Sequence, residues 1–440
     1  MDVATFVSSI FNNELPFRVE AYEGSVAEPS IISPANKITL KILRREALTR
    51  VLTHPGELGL ARAYVAGDIE VEGDLDPLFE LSVPPMSKLL KVDNLRSLLS
   101  AVGASALRPI APPSIEAKQR GALHSRSRDK QAISHHYDVS NRFYEMVLGP
   151  SMTYSCAVFA SPDDTLEIAQ QRKVDLVARK LDLKPGMRLL DVGCGWGAMA
   201  IHAAKTYGAS VVGVTLSEQQ LKYANEQAQL AGVSDLVEFR LQDYRDVSDG
   251  PFDAISSIGM SEHVGRRSLT RYTQTLFDLL RPGGRFLNHA IGRPASFDED
   301  PDPSKAAETS RQVQIALGMR GPSKNGSPFI ERYVFPDGEL HEVGTLVSIF
   351  QGHGFEVRHL ESLREHYALT LRYWVANLTK RFDEAVEEVG EERARVWRLY
   401  MSGSAVGFER RHLEIHQVLC VRPLDGSSGL PLRPDFSASF

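Results

Sequence analysis

Gly193-Cys194-Gly195-Trp196-Gly197 follows the apolar run Arg188–Val192 and leads into a helical stretch. Glycines at alternate positions let the backbone turn sharply and come close to a ligand, and a helix N-terminus offers unpaired N–H groups. A strand, such a turn and a helix form a nucleotide-binding unit. Gly193, Gly195 and Ala198 satisfy the G-x-G-x-x-G/A spacing of dinucleotide sites. Gly193, Gly195 and Gly197 also satisfy the looser G-x-G-x-G of S-adenosylmethionine (SAM) sites. Side chains nearby separate the two. Asp191 ends the strand, where a carboxylate repels a pyrophosphate but attracts the sulfonium and α-ammonium groups of SAM. A dinucleotide site wants Asp or Glu about 20 residues on, for the ribose hydroxyl. Here the second strand ends at Thr215, followed by Ser217, Glu218, Gln219 and Gln220. After the third strand, Gln242 and Asp243 in LQDYRD stand where an adenine amine can be read. The first and third features favour SAM; the second disfavours NAD.

A second set of reactive residue types is scattered along the chain. Glu262 and His263 follow the fourth strand, His289 and Ile291 end the fifth, Tyr367 follows the sixth, and Cys156 precedes the first core helix. In a parallel sheet such positions share the ligand-binding edge. Taken singly, Cys156 reads as a small core residue, His289 as a core histidine satisfied by its neighbours, and Tyr367 as a helix anchor. Glu262-His263 is the pair packing explains least. Tyr137, Tyr154, Trp196 and Trp374 offer walls for an acyl chain or π faces for a cation. Packing is the reading for Trp374, and a place in the SAM pocket for Tyr154 and Trp196.

The elements that must position these residues alternate. Strands are expected at Arg188–Val192, Ser210–Thr215, Val237–Leu241, Phe252–Ile258, Arg285–Ile291, Glu356–Leu360 and Glu414–Val421, with helices between them. Asp164 and Glu167 suggest a capping box for the helix through Lys180. The alternation predicts a Rossmann-like, doubly wound, mostly parallel α/β sheet. Residues 131–425 form this domain, with a lid inserted at 293–340. Residues 1–85 read as a small α+β domain, with a strand, two helices and a closing strand in its second half. Residues 86–130 read as a basic linker and 426–440 as a flexible tail.

Composition bounds the function. The 440 residues are 42% hydrophobic and 24% charged with a net charge of −6, a globular chain with no general affinity for nucleic acid. Cys156, Cys194 and Cys420 form neither a disulfide framework nor a metal pair, which suits a cytoplasmic protein. No apolar run reaches the roughly 20 residues a membrane-spanning helix needs, so membrane contact is expected to be peripheral, at the inner face. Residues 118–130 carry five Lys/Arg against one Asp, suited to anionic head groups. Val3, Phe6, Val7, Ile10 and Phe11 fall on one helical face, which either meets lipid or packs on its own domain.

Seven stretches occur in register: HYDVSNRFYEMVLGPSMTYSCAVF (136–159), LLDVGCGWG, VVGVTLSEQQ, LQDYRD, SIGMSEHVG (257–265), LNHAIG (287–292) and HYALTLRYW (366–374). Together they resemble the cyclopropane-fatty-acid synthase family, which includes the mycolic acid methyltransferases. The resemblance implies a class I SAM-dependent methyltransferase fold. It also implies methylation of the double bond of unsaturated phospholipid acyl chains through a carbocation. It places Tyr154, Ser155, Asp191, Gly193, Gly195, Trp196, Thr215, Ser217, Gln220, Gln242 and Asp243 around SAM. It places Cys156, Glu262, His289, Ile291 and Tyr367 around a bicarbonate ion that accepts the proton. Ser261 stands where cyclopropane synthases commonly carry Phe, and Asn288 and Ala290 stand where Leu and Thr are usual. Smaller or more polar walls there would alter how the cation is held and which proton leaves, and the tail and GELGLARAYVAGDIEVEGD resemble the actinobacterial branch that forms 10-methylene fatty acids on the route to tuberculostearic acid. The resemblance allows a homodimer and, for a 10-methylene product, a partner reductase. The alternatives are a strict cyclopropane synthase, an NAD-dependent oxidoreductase, a small-molecule O- or N-methyltransferase and a non-catalytic lipid-binding protein.

Overall fold

The computed structural model describes residues 2–54, 56–79, 81, 108–117, 124–137, 139–295 and 327–437. Most of the expected linker (86–107 and 118–123) and the lid residues 296–326 lie outside the described residues. The chain forms two compact units.

One unit takes Met1–Lys118, Ser296–Pro336 and Gly390–Val406, well beyond the expected 1–85. Its sheet has β1 (Arg18–Ala21), β2 (Val26–Ala27), β3 (Thr39–Ile42) and β4 (Ile69–Glu72) in the order β2-β1-β3-β4. Helices Glu46–Thr53 and Glu57–Val65 join β3 to β4, as the sequence predicts. Remote segments are held by buried charge. Arg62 donates to both oxygens of Glu116 at 2.6 and 2.8 Å, and the Tyr333 hydroxyl donates to the same carboxylate at 3.0 Å. Buried charges need such partners, and hydrophobic periodicity does not say where they come from. In helix Val3–Ile10, Val3, Phe6 and Val7 are buried in a cluster with Leu15, Phe17 and Val19, and Ile10 and Phe11 pack against it. The N-terminal stripe therefore covers its own domain.

The other unit takes Gln119–Ala295, Asp337–Val389 and Gly407–Phe440. Its strands are β5 (Arg188–Val192), β6 (Ser210–Thr215), β7 (Val237–Leu241), β8 (Phe252–Ile258), β9 (Leu280–Gly292), β10 (Glu356–Ser362) and β11 (Glu414–Val421). They lie in the order β10-β11-β9-β8-β5-β6-β7. Neighbours from β5 to β9 are parallel, and β11 is antiparallel to β9 and β10. Only β9 and β10 exceed their expected bounds. Both faces of the sheet are covered. Leu190 and Val192 join a cluster with Leu269, Leu276 and Phe350, whereas Leu189 joins one with Val177 and Ala203. Alternate residues of one strand thus enter two cores, which requires an unbroken apolar run such as the one in RLLDV.

Three local expectations change. The N-cap of helix Leu166–Leu181 is Thr165, whose hydroxyl accepts from the Ile168 N–H at 3.3 Å. Asp164 instead accepts from the Ala160 and Ser161 N–H groups and from Arg172. Arg126 and Arg128, expected to face head groups, are paired with Asp246 and Asp337. The described part of the tail lies on the sheet unit, where the Phe436 ring sits against His359 and Arg358 donates to the Pro431 carbonyl.

Candidate active site

The carboxyl ends of β5 to β9 share one edge of the sheet, and the predicted residues gather there. Gly193, Gly195 and Gly197 all adopt positive φ, at 75°, 55° and 90°. The Gly193 and Cys194 N–H groups bond the Val214 carbonyl, folding the turn back over β6. A Cβ on Gly197 would meet Phe239 Cζ at 2.7 Å, so this glycine serves packing. A Cβ on Gly195 would meet nothing within 4 Å, so this one leaves open space.

Asp191 is buried at the mouth of the turn. Its Oδ1 accepts from the Ser256 hydroxyl at 2.6 Å, and its Oδ2 has no hydrogen-bond partner among the described residues. Burial lifts its carboxyl to about 6. A half-satisfied buried carboxylate next to an open glycine fits a cationic ligand that brings its own hydrogen-bond donor. The residues present thus fit SAM.

Lys173 is fully buried on helix Leu166–Leu181, donates to the Ser155 hydroxyl at 2.9 Å, and is drawn down to about 8 by burial. No sequence motif marks Lys173. Its signal was available, because Lys173 and Lys180 stand on the apolar stripe with Leu166, Ala169, Val177 and Leu181.

Tyr154-Ser155-Cys156 joins the two halves of the site. The Tyr154 ring contacts Tyr144 at 5.9 Å and Trp374 at 5.3 Å, and Tyr144 contacts Trp196 at 4.6 Å. Trp196 Nε1 donates to Asn141 at 2.9 Å. Trp374 packs in the core, as expected, but also borders this aromatic wall. Ser155 reaches Lys173, and Cys156 Sγ lies 3.2 Å from the Ala157 carbonyl and 3.6 Å from that of Leu363. Burial pushes the Cys156 thiol up, so it is no nucleophile.

Leu363 leads from Cys156 to the rest of the reactive set. Its carbonyl also accepts from the Tyr367 N–H at 3.0 Å, and its own N–H bonds the Ile415 carbonyl at 2.9 Å. Ile415 faces Ile291 across β11 and β9, and the Ile291 N–H donates to Glu262 Oε1 at 2.7 Å. His289 lies two residues along β9 and faces Ile258 and Gln417. Backbone hydrogen bonds and strand pairing thus link Cys156, Tyr367, Ile291 and Glu262, with His289 two residues from Ile291 on β9. Tyr367 packs edge-on against Trp374 and at a tilt against Phe408.

Glu262 is buried, with its carboxyl pushed up to about 7 by desolvation. Glu262 Oε2, His289 Nε2 and Asn288 Nδ2 have no hydrogen-bond partners among the described residues. Buried polar atoms are rarely left so. A small ion carrying a proton fits the bare Glu262 oxygen, and one carrying bare oxygens fits a donor on His289 Nε2; bicarbonate carries both. Burial holds the His289 imidazole well below its ordinary range.

Thr215, Ser217 and Gln220 are satisfied among themselves. The Thr215 hydroxyl donates to Gln220 Oε1 at 2.7 Å, and Ser217 caps the helix by accepting from the Gln220 N–H at 3.1 Å. Gln242 Nε2 donates to the Asp246 carbonyl, and Arg245 takes both oxygens of Asp243. Asp243 would share its carboxylate with Arg245 while reading an adenine. Among the described residues no group of His, Cys, Asp and Glu could hold a metal ion, and no helix is long and apolar enough to cross a membrane.

A model of the mycolic acid cyclopropane synthetase family matches residues 124–418. A Mycobacterium tuberculosis protein named "probable fatty acid methyltransferase" is 44% identical over 432 residues, covering 95% of this chain and 94% of that one. The cyclopropane-fatty-acyl-phospholipid synthase of Escherichia coli is 32% identical, covering 88% of each chain. Among solved structures, a mycolic acid cyclopropane synthase complexed with SAH and CTAB superposes with a TM-score of 0.59 at 32% identity, covering 66% of this chain and 97% of that one.

Proposed function

The chain belongs to the mycolic acid cyclopropane synthetase family, and from that premise we propose that it methylates the double bond of unsaturated phospholipid acyl chains and yields a 10-methylene fatty acid. Relatives named for fatty acid methylation and for cyclopropanation match nearly the whole chain. A tuberculostearic acid methyltransferase of Mycobacterium tuberculosis matches 93% of it at 32% identity. The observation that carries the reading is one sheet edge holding both a half-satisfied carboxylate beside an open glycine turn and a second buried carboxylate, Glu262, whose Oε2 has no partner among the described residues. The first suits SAM and the second bicarbonate.

When bound, SAM supplies the methyl group and bicarbonate takes up the proton. The chain's own residues orient and shield. Asp191 faces the positive charge of the methyl donor, and Gly195 lets the backbone approach it. Tyr137, Tyr154 and Trp196 line the cofactor side with π faces. Glu262, fixed by the Ile291 N–H, keeps one oxygen for the ion and adds negative charge near the cation left on the acyl chain. Cys156 and Tyr367 close the same pocket. A proton lost from the new methyl group with ring closure gives a cyclopropane. A hydride shift followed by proton loss gives a methylene. Ser261 beside Glu262 is small, polar and buried, which shifts the acyl chain relative to the base and favours the second route. The substrate lies in a bilayer that the protein meets peripherally, and a reductase acts next on the methylene product.

Proton NMR of lipid extracted after incubation with SAM and dioleoyl phospholipid tests this. Vinylidene signals are expected. High-field cyclopropane signals alone would overturn the methylene product, and no SAM-dependent change in the lipid would overturn the reading as a whole.

A further inference from the structure

We propose that Lys180 and Gln417 are positioning residues that lock the His289 imidazole as its Nε2–H tautomer, so that it gives the bound ion a hydrogen-bond donor. The inference deepens the reading of His289 as an ion-holding residue and rests on it. His289, Gln417 and Glu361 are direct cross-strand neighbours on β9, β11 and β10. Lys180, on helix Leu166–Leu181, reaches this row with a fully buried ammonium. It donates to Gln417 Oε1 at 2.6 Å and to Glu361 Oε2 at 2.5 Å.

An ammonium has donors only, so the Gln417 atom facing it is the carbonyl oxygen. The other end of that amide is then an NH2 group, 3.1 Å from His289 Nδ1. An NH2 group can only donate, so Nδ1 must accept. A neutral imidazole with an accepting Nδ1 carries its proton on Nε2. An imidazolium would set two donors against each other at 3.1 Å, in a pocket that already holds the charges of Lys173 and Lys180. His289 Nε2 is the atom left without a partner among the described residues. Glu361 balances the lysine at the far end of the row, so the relay runs Glu361–Lys180–Gln417–His289.

Histidine 15N NMR of the full-length chain tests the proposal, with the His289 signals identified by their loss in His289→Gln. The wild type should show a protonated Nε2 and a bare Nδ1 throughout the range in which an ordinary imidazole titrates. Gln417→Glu places a carboxylate against Nδ1, which can only accept. It should move the proton to Nδ1 and slow turnover about 10- to 100-fold, the usual effect of losing an orienting partner, with SAM affinity unchanged. A wild-type spectrum with the proton on Nδ1, or a doubly protonated ring, would overturn the lock. So would Gln417→Glu with an unchanged spectrum. If the spectrum is as expected but His289→Gln keeps full, bicarbonate-dependent turnover, the lock stands and the placing of His289 at the ion is overturned. The wild-type spectrum decides the tautomer even where a Gln417 variant folds poorly.

Discussion

Replacing Asp191 with asparagine keeps the side-chain shape and an acceptor for Ser256, and removes one buried negative charge. In the free chain that charge is unfavourable, because burial lifts the carboxyl from 3.8 to about 6. The folded chain holds a proton that the unfolded chain has lost between those values. Stability therefore falls as pH rises through that window, and the loss is complete above it. At about 1.4 kcal/mol per pH unit, the difference destabilises the free wild type by about 3 kcal/mol. That figure already includes the attraction of the nearby Lys173. The free Asp191→Asn protein should thus melt no lower than the wild type at neutral pH. With SAM the order reverses. A hydrogen bond to a charged partner contributes about 1.5–3 kcal/mol, so the variant should bind SAM roughly 10- to 150-fold more weakly. Titration calorimetry with SAM and with S-adenosylhomocysteine checks this. A larger loss for SAM places the carboxylate against the sulfonium, and equal losses place it against the α-ammonium. Wild-type affinity should decline as pH falls through about 6, while the variant should show no such dependence. A SAM affinity changed less than about threefold (under about 0.7 kcal/mol), or a wild-type affinity flat through that range, would refute the carboxylate–cation reasoning.

Glu262→Gln should leave SAM affinity nearly intact and lower kcat about 10²- to 10⁴-fold, as for loss of an acid–base or charge-stabilising group. With the Glu262 carboxyl held at about 7 by burial, the wild-type rate should climb through that pH as the carboxylate forms, and the variant should lack the rise. Stripping bicarbonate should slow the wild type and scarcely affect the variant. Gly195→Val and Gly197→Val should part company in melting and calorimetry. The first fills open space and loses SAM binding with a modest fall in melting temperature. The second drives a side chain into Phe239 and destabilises the fold. Equal melting losses with equal SAM binding would contradict the roles assigned to the two glycines.

The glycine turn, the strand ends and the reactive residues were legible in the sequence because each leaves a local mark. Leu189, Leu190 and Val192 of RLLDV are apolar because β5 is buried on both faces, and the glycines recur because the turn needs positive φ. The parallel order then sends Asp191, Thr215, Gln242, Glu262 and Ile291 to one edge without further information. Pairing leaves no such mark. That Ser256 holds Asp191, that Arg62 meets Glu116 and Tyr333, and that Gln417 stands between Lys180 and His289 depends on register and helix packing between distant segments. Periodicity shows that Lys173 and Lys180 face inward; only the folded chain says what they face. The N-terminal stripe had two outlets, its own domain and a lipid surface. Periodicity measures how much area must be covered, while the cover itself, Leu15, Phe17 and Val19, is chosen by the tertiary structure.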